Sequence, residues 1–264
     1  MLAKSGMSCA ESWPFSVRRL TPHLGAEISG VDLAHELEDE VFRALYRAFL
    51  RYQVLLFPPQ DLPAGRQVGF ARRFGEVQIH VMNQYHADGY PELYRLSNLD
   101  EHGKPHGRHP DKGTLAWHTD GSWQRVTGQA TIIYGEVMPE SGGETHFCDM
   151  YGAYDRPDAR WKARLAGLRA VHNLDFSRNR RHGEDPLTEA QRLAKPPVDH
   201  PVVRTHPESG RKCLFLGDHA EYIVGMAFDE GRADRGTERP RHPPRFDLRA
   251  PLVRRCTVLG EVPA

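Results

Sequence analysis

Apolar residues recur at three- and four-residue spacing between Glu36 and Tyr52. Val41, Phe42, Leu45, Tyr46, Phe49 and Leu50 share one face there, and charges take the other. That period predicts an amphipathic helix over 36–52. Directly after it, Val54-Leu55-Leu56-Phe57 is an unbroken apolar run stopped by Pro58-Pro59, the mark of a buried strand. A second helix is predicted from Ala64 to Phe74, stopping at Gly75. Ahead of these lie a short strand around Val17–Leu20 and a glycine turn at Gly25, while residues 1–15 read as a loose leader.

The centre of the chain changes period. Short strand-like runs recur at Leu93–Leu96, Ala130–Val137, Leu168–Asn173, Val202–His206 and Lys212–Leu216. Pro207-Glu208-Ser209-Gly210 has the turn chemistry to close a hairpin between the last two. Residues 155–167 and 187–194 add helical insertions. Short strands at this spacing predict an all-β sandwich or barrel core. From Asp229 to Arg249 the chain is dominated by Arg, Pro, Gly and acidic residues, which cannot fill a core and read as loop. Apolar content returns at Leu252-Val253 and at Cys256–Leu259. A barrel closing here calls for two apolar strands, and one is evident.

Composition narrows the class. With 264 residues the chain can bury a substantial core without disulfides. Its 35 basic and 35 acidic residues cancel, so whole-chain charge gives no footprint for nucleic acid or a membrane surface. Cys9, Cys148, Cys213 and Cys256 are scattered, without CxxC spacing, as in a reducing compartment. No apolar run has the length of a signal peptide or a membrane span, so a cytoplasmic location is the expectation.

One short motif carries chemistry. In Trp117-His118-Thr119-Asp120, an HxD pair on a strand edge would put an imidazole and a carboxylate on the same face. With a distant second His, such a pair forms the facial triad that leaves open positions on Fe(II). Alone, HxD is weak, because His and Asp are common loop residues. A zinc hydrolase would need a third ligand and a base, and no HExxH-like motif is present.

The surroundings are more specific. The stretch Trp117-His118-Thr119-Asp120-Gly121-Ser122-Trp123 is followed by Ser141-Gly142-Gly143-Glu144-Thr145-His146-Phe147-Cys148-Asp149-Met150. Further on come Glu189-Ala190-Gln191-Arg192, Pro196-Pro197-Val198, Val203-Arg204-Thr205-His206 and Ser209-Gly210-Arg211-Lys212-Cys213-Leu214-Phe215. Together, in this order, they closely resemble the TauD/TfdA family of Fe(II)/2-oxoglutarate-dependent dioxygenases. The resemblance is stronger to the 2,4-dichlorophenoxyacetate dioxygenase branch, and it runs from Leu20 to Arg232.

That resemblance implies a mainly β fold with flanking helices, the double-stranded β-helix or jelly roll, as one domain over 16–264 with 233–251 irregular. It places His118 and Asp120 as the first two metal ligands. It places Thr145 as the residue whose hydroxyl contacts 2-oxoglutarate, where Gly142-Gly143 allows close backbone approach. Lys104 falls in the segment resembling the substrate-side lid, and His206 and His219 match His positions of the phenoxyacetate branch, each open to a structural or a substrate-facing role. Arg72-Arg73-Phe74-Gly75 matches a family pattern that reads as helix-end packing.

The chain then departs from the pattern. After Gly225-Met226-Ala227-Phe228-Asp229-Glu230-Gly231-Arg232, several dozen expected residues are missing, including a helix and a Trp-Asp-Asn-Arg turn. The match returns at Arg245-Phe246-Asp247-Leu248 and at Arg254-Arg255-Cys256-Thr257. Part of the C-terminal strand and helix set is therefore expected to be absent. His242 is the His nearest the third-ligand place, one residue out of register and flanked by prolines. Arg255 falls at the substrate-contacting position, and Arg254 stands for the 2-oxoglutarate arginine only if the strand face shifts.

The implied activity is hydroxylation of a small anionic substrate, aryloxyalkanoate- or sulfonate-like, with 2-oxoglutarate and O₂ consumed and succinate and CO₂ released. Fe(II) is the implied metal. The alternative is an impaired remnant that keeps the jelly-roll body and binds metal or small acids weakly. Assembly with further copies of the chain stays open.

Overall fold

The computed structural model describes residues 12–105, 115–139, 142 and 144–227, together with the backbone of 257–261. The chain opens on a hairpin of β1 (Ser16–Arg19) and β2 (Ala26–Ser29), turned at Gly25 with φ +88°. In β2, Ala26 and Ile28 are fully buried while Glu27 and Ser29 alternate outward. The sequence pattern did not predict this strand, because its alternation rests on one large apolar residue.

Helix α1 (Asp39–Tyr52) is the crossover that returns the chain to β3 (Val54–Phe57), parallel to β2. It turns Phe42, Ala44, Leu45, Ala48 and Phe49 onto the sheet, and Asp39, Glu40 and Arg51 complement its dipole. The helix stops at Gln53, left-handed at φ 66°, whose N–H donates to the Phe49 carbonyl at 2.7 Å. All four residues of β3 are buried. Helix α2 (Ala64–Arg72) sets Phe70 edge-on against Phe42 and Phe57, each at 6.4 Å between ring centroids. Each such buried side chain contributes about 1.5–3 kcal/mol. Trp13 and Phe15, placed in the loose leader by the sequence pattern, pack against this cluster.

The remaining elements are short. They are β4 (His86–Ala87), β5 (Tyr90–Tyr94), β6 (Ala130–Tyr134), α3 (Met150–Asp155), α4 (Ala159–Leu165), β7 (Arg169–His172) and α5 (Glu189–Ala194). After these come β8 (Val198–Pro201), β9 (Val203–Thr205), β10 (Lys212–Leu214), β11 (Ala220–Ile223) and β12 (Thr257–Glu261). The helical insertion predicted over 155–167 is α4, begun by Asp158, whose side chain accepts from the Trp161 N–H, while α3 just ahead of it was not predicted. A π-helical turn, Phe176–Arg181, follows β7.

Two sheets carry the site. The larger has the order β1-β2-β3-β12-β6, and the smaller β11-β7-β8. The predicted hairpin is β9 and β10, paired Thr205 to Lys212 across a turn with Gly210 at φ +66°. This is a jelly-roll architecture with flanking helices. The single apolar strand expected near Cys256–Leu259 is β12, which sits between β3 and β6 and pairs antiparallel with both. No helix among the described residues is long and apolar enough to cross a membrane.

Candidate metal centre

The HxD pair does not lie on a strand. Trp117, His118 and Thr119 are irregular and Asp120 opens a turn, so strand alternation is not what aligns the two side chains. The turn does it instead. Gly121 adopts φ +64°, and the Ser122 N–H donates to the Thr119 carbonyl at 3.3 Å. His118 Nε2 and Asp120 Oδ1 consequently meet at 3.1 Å.

Each group is oriented by a neighbour. His118 Nδ1 donates to the Ala116 carbonyl at 2.8 Å, which turns Nε2 toward Asp120. The Asp120 carboxylate pushes the His118 pKa up to about 9, against the effect of burial. Burial pushes the Asp120 carboxyl upward, but the His118 contact outweighs it and, with the Thr131 hydroxyl, holds it below the usual carboxylate range. Thr131 lies in β6, so the larger sheet supports the carboxylate.

The smaller sheet supports the histidine. The Asp218 N–H donates to the Trp117 carbonyl at 2.9 Å. Gly217 passes so close that a Cβ there would lie 3.0 Å from the His118 Cα. Asp218 itself accepts from Ser177, from Arg181 at 3.1 Å and from His182 at 2.8 Å, which ties the π-helical turn to the entry of β11. Burial raises its carboxyl, and these bonds outweigh burial to hold it below the ordinary range.

His219 follows. Its Nδ1 is 3.2 Å from the Oγ of buried Ser122, and its ring stands at 83° to that of His118 with centroids 6.0 Å apart. Burial, and then the positive His118 beside it, push its pKa down to about 4.

Other residues singled out in the sequence fall elsewhere. Thr145 is exposed in the irregular segment ahead of α3, and Lys104 is exposed. His206 is buried and its Nδ1 accepts from the Glu208 and Ser209 N–H groups, so it organises the β9–β10 turn. Arg73 donates to the Leu37 carbonyl at 3.0 Å and lies 4.4 Å over the Phe42 ring, as helix-end packing requires. His242, Arg254 and Arg255 lie outside the described residues. Thr131, Asp218 and the Ala116 carbonyl escaped the sequence reading; a carbonyl has no sequence signal, and Thr131 reads as an ordinary strand residue.

The donor pair suits Fe(II). One imidazole has its second nitrogen already committed, one carboxylate is steadied by a hydroxyl, and the contact between them is one that a metal would take over from a proton. Among the described residues no three His, Cys, Asp or Glu side chains form a group able to hold an ion.

Relatives share this architecture. The family profile described as "Taurine catabolism dioxygenase TauD, TfdA family" matches residues 16–235. The alpha-ketoglutarate-dependent 2,4-dichlorophenoxyacetate dioxygenase of Cupriavidus pinatubonensis is 38% identical over 81% of this chain and 77% of its own. The (S)-phenoxypropionate/alpha-ketoglutarate-dioxygenase of Sphingobium herbicidovorans is 35% identical over 80% of this chain and 74% of its own. The crystal structure of AAD-2 in complex with Mn(II) and N-oxalylglycine superposes with a TM-score of 0.75 at 29% identity, covering 94% of this chain and 88% of that one. A profile match across most of the chain, joined to these identities, establishes that the chain belongs to the TauD/TfdA family.

Proposed function

We propose that the chain is an Fe(II)- and 2-oxoglutarate-dependent dioxygenase hydroxylating a small anionic substrate of aryloxyalkanoate or sulfonate type, with His118 and Asp120 as metal ligands. The observation that carries this reading is the 3.1 Å approach of His118 Nε2 to Asp120 Oδ1, on a turn wedged between the two sheets. The substrate class rests on the relatives, which are named for phenoxyacetate, phenoxypropionate and, for the Pseudomonas putida protein at 28% identity, a sulfate ester.

Bound Fe(II) would supply O₂ activation coupled to decarboxylation of 2-oxoglutarate. The protein's share is placement. His118 would hold the ion through Nε2, while Nδ1, bonded to the Ala116 carbonyl, fixes the ring. Asp120 presents one oxygen, and Thr131 holds the carboxylate's orientation. Thr145, Arg254 and Arg255 are the candidates for the carboxylates of 2-oxoglutarate and substrate. His242 is the sequence-based candidate for the third ligand.

The test is anaerobic titration with Fe(II) and 2-oxoglutarate, followed by succinate release on adding a phenoxyacetate and O₂. A visible charge-transfer band and succinate formation, both lost in His118→Ala, are expected. Wild-type protein showing neither would overturn the reading.

A further inference from the structure

We propose that the cleft between α1 and the end of α2 is a binding site for a small aromatic carboxylate. Neither helix carries a residue of the metal centre, and binding here needs neither metal nor 2-oxoglutarate.

The cleft measures about 440 Å³, within the range of small-molecule sites. Its floor is aromatic. Phe74, just past α2, stands edge-on to Phe42 at 5.0 Å between ring centroids and tilted to Tyr46 at 6.0 Å. A planar ring entering the cleft finds aromatic partners already in the tilted and edge-on arrangements that such rings prefer.

Its rim is cationic. Arg43 and Arg47 line the cleft one turn apart on α1. Both are exposed, and neither forms an ion pair with a described residue. Like charges four residues apart repel on a helix surface, and an anion held between them relieves that repulsion. A carboxylate also matches the planar guanidinium fork.

The carboxylates bonded to the lining are engaged elsewhere. Asp39 takes Arg73 at 2.7 Å, and Arg73 also covers the Phe42 ring at 4.4 Å, so this third arginine is part of the wall. Glu208, from the β9–β10 turn, accepts from the Tyr46 hydroxyl and from Gln129 at 3.0 Å. Arg43 and Arg47 therefore keep their charge for an occupant. An inorganic anion would leave the aromatic floor uncovered, and a neutral arene would leave the arginines unmatched.

The test titrates the full chain, without added metal, with phenoxyacetate. Binding is followed by nuclear magnetic resonance at the arginine Nε–H and aromatic ring signals. Saturable shifts are expected at Arg43, Arg47 and Phe74. They should need about tenfold more ligand in the Arg43→Gln/Arg47→Gln variant, and little more in Arg43→Lys/Arg47→Lys. Neutral phenoxyethanol and non-aromatic cyclohexyloxyacetate should each bind more weakly than phenoxyacetate, and added salt should weaken the acid. Circular dichroism confirms that the variants are folded. Shifts absent from these residues, or unchanged in the folded glutamine variant, would overturn the proposal. So would cleft signals that follow protein concentration instead of ligand, since a second copy of the chain would then be the occupant.

Discussion

Gly217 and His118 touch backbone to backbone, close enough that a Cβ on Gly217 would sit 3.0 Å from the His118 Cα and 3.3 Å from the Trp117 carbonyl oxygen. Both obstacles are main chain, so neither can swing aside. Gly217→Ala should therefore push the HxD turn away from the smaller sheet, costing about 1–3 kcal/mol of stability. Metal affinity should drop more than that loss of stability implies. Chemical denaturation of the metal-free protein beside Mn(II) titration separates the two effects.

Thr131 steadies Asp120 from β6. Thr131→Val keeps the shape and removes the hydroxyl, so the strand survives while the carboxylate loses its bond. Metal affinity should weaken by about tenfold, with unfolding changed by roughly 1 kcal/mol. An unchanged affinity, measured by calorimetric titration, would show that the hydroxyl does no positioning.

Asp218 links pH to stability. Its carboxyl is held below the ordinary range by Ser177, His182 and Arg181, so folding favours the ionised form. That stabilisation is complete above the unfolded carboxylate pKa of about 4 and is lost as pH falls through the lower folded value. Asp218→Asn should cost about 2 kcal/mol at neutral pH and flatten the acid limb. Urea midpoints from pH 7 down to about pH 3 would show a steeper fall for wild type than for the variant.

Leu55 is fully buried in the middle of β3, paired with β2 on one side and β12 on the other. Leu55→Ala should cost about 2–5 kcal/mol, since a fully buried side chain on a strand held along both edges has little room to collapse. Thermal unfolding followed by circular dichroism measures it.

The long-period features of the fold were legible in the residues themselves. The α1 stripe, the apolar run of β3 and the Ser209-Gly210 turn each announce one structure, because burial on one face dictates their spacing. Strand β8 was hidden for a physical reason: His200 is one of its inward residues and spends its Nε2 on the Gln124 carbonyl at 2.9 Å, so a polar letter stands in a core position. The π-helical turn Phe176–Arg181 was hidden likewise, since its polar side chains are organised by Asp218, some forty positions away. At the metal centre the motif named two residues. Their convergence depends on a glycine turn, a carbonyl and a strand threonine, none of which a short motif displays.

Strand β12 draws its partners from far along the chain, about two hundred positions back to β3 and more than one hundred back to β6. Contacts of that span carry a large loop-closure cost before they return any stability, so they form late. Until they do, β3 and β6 face each other across a missing strand, with apolar edges available to any other extended segment. The yield of soluble protein should thus be decided in the interval between synthesis of β6 and arrival of β12, and slower, cooler expression or a chaperone that shields strand edges should raise it.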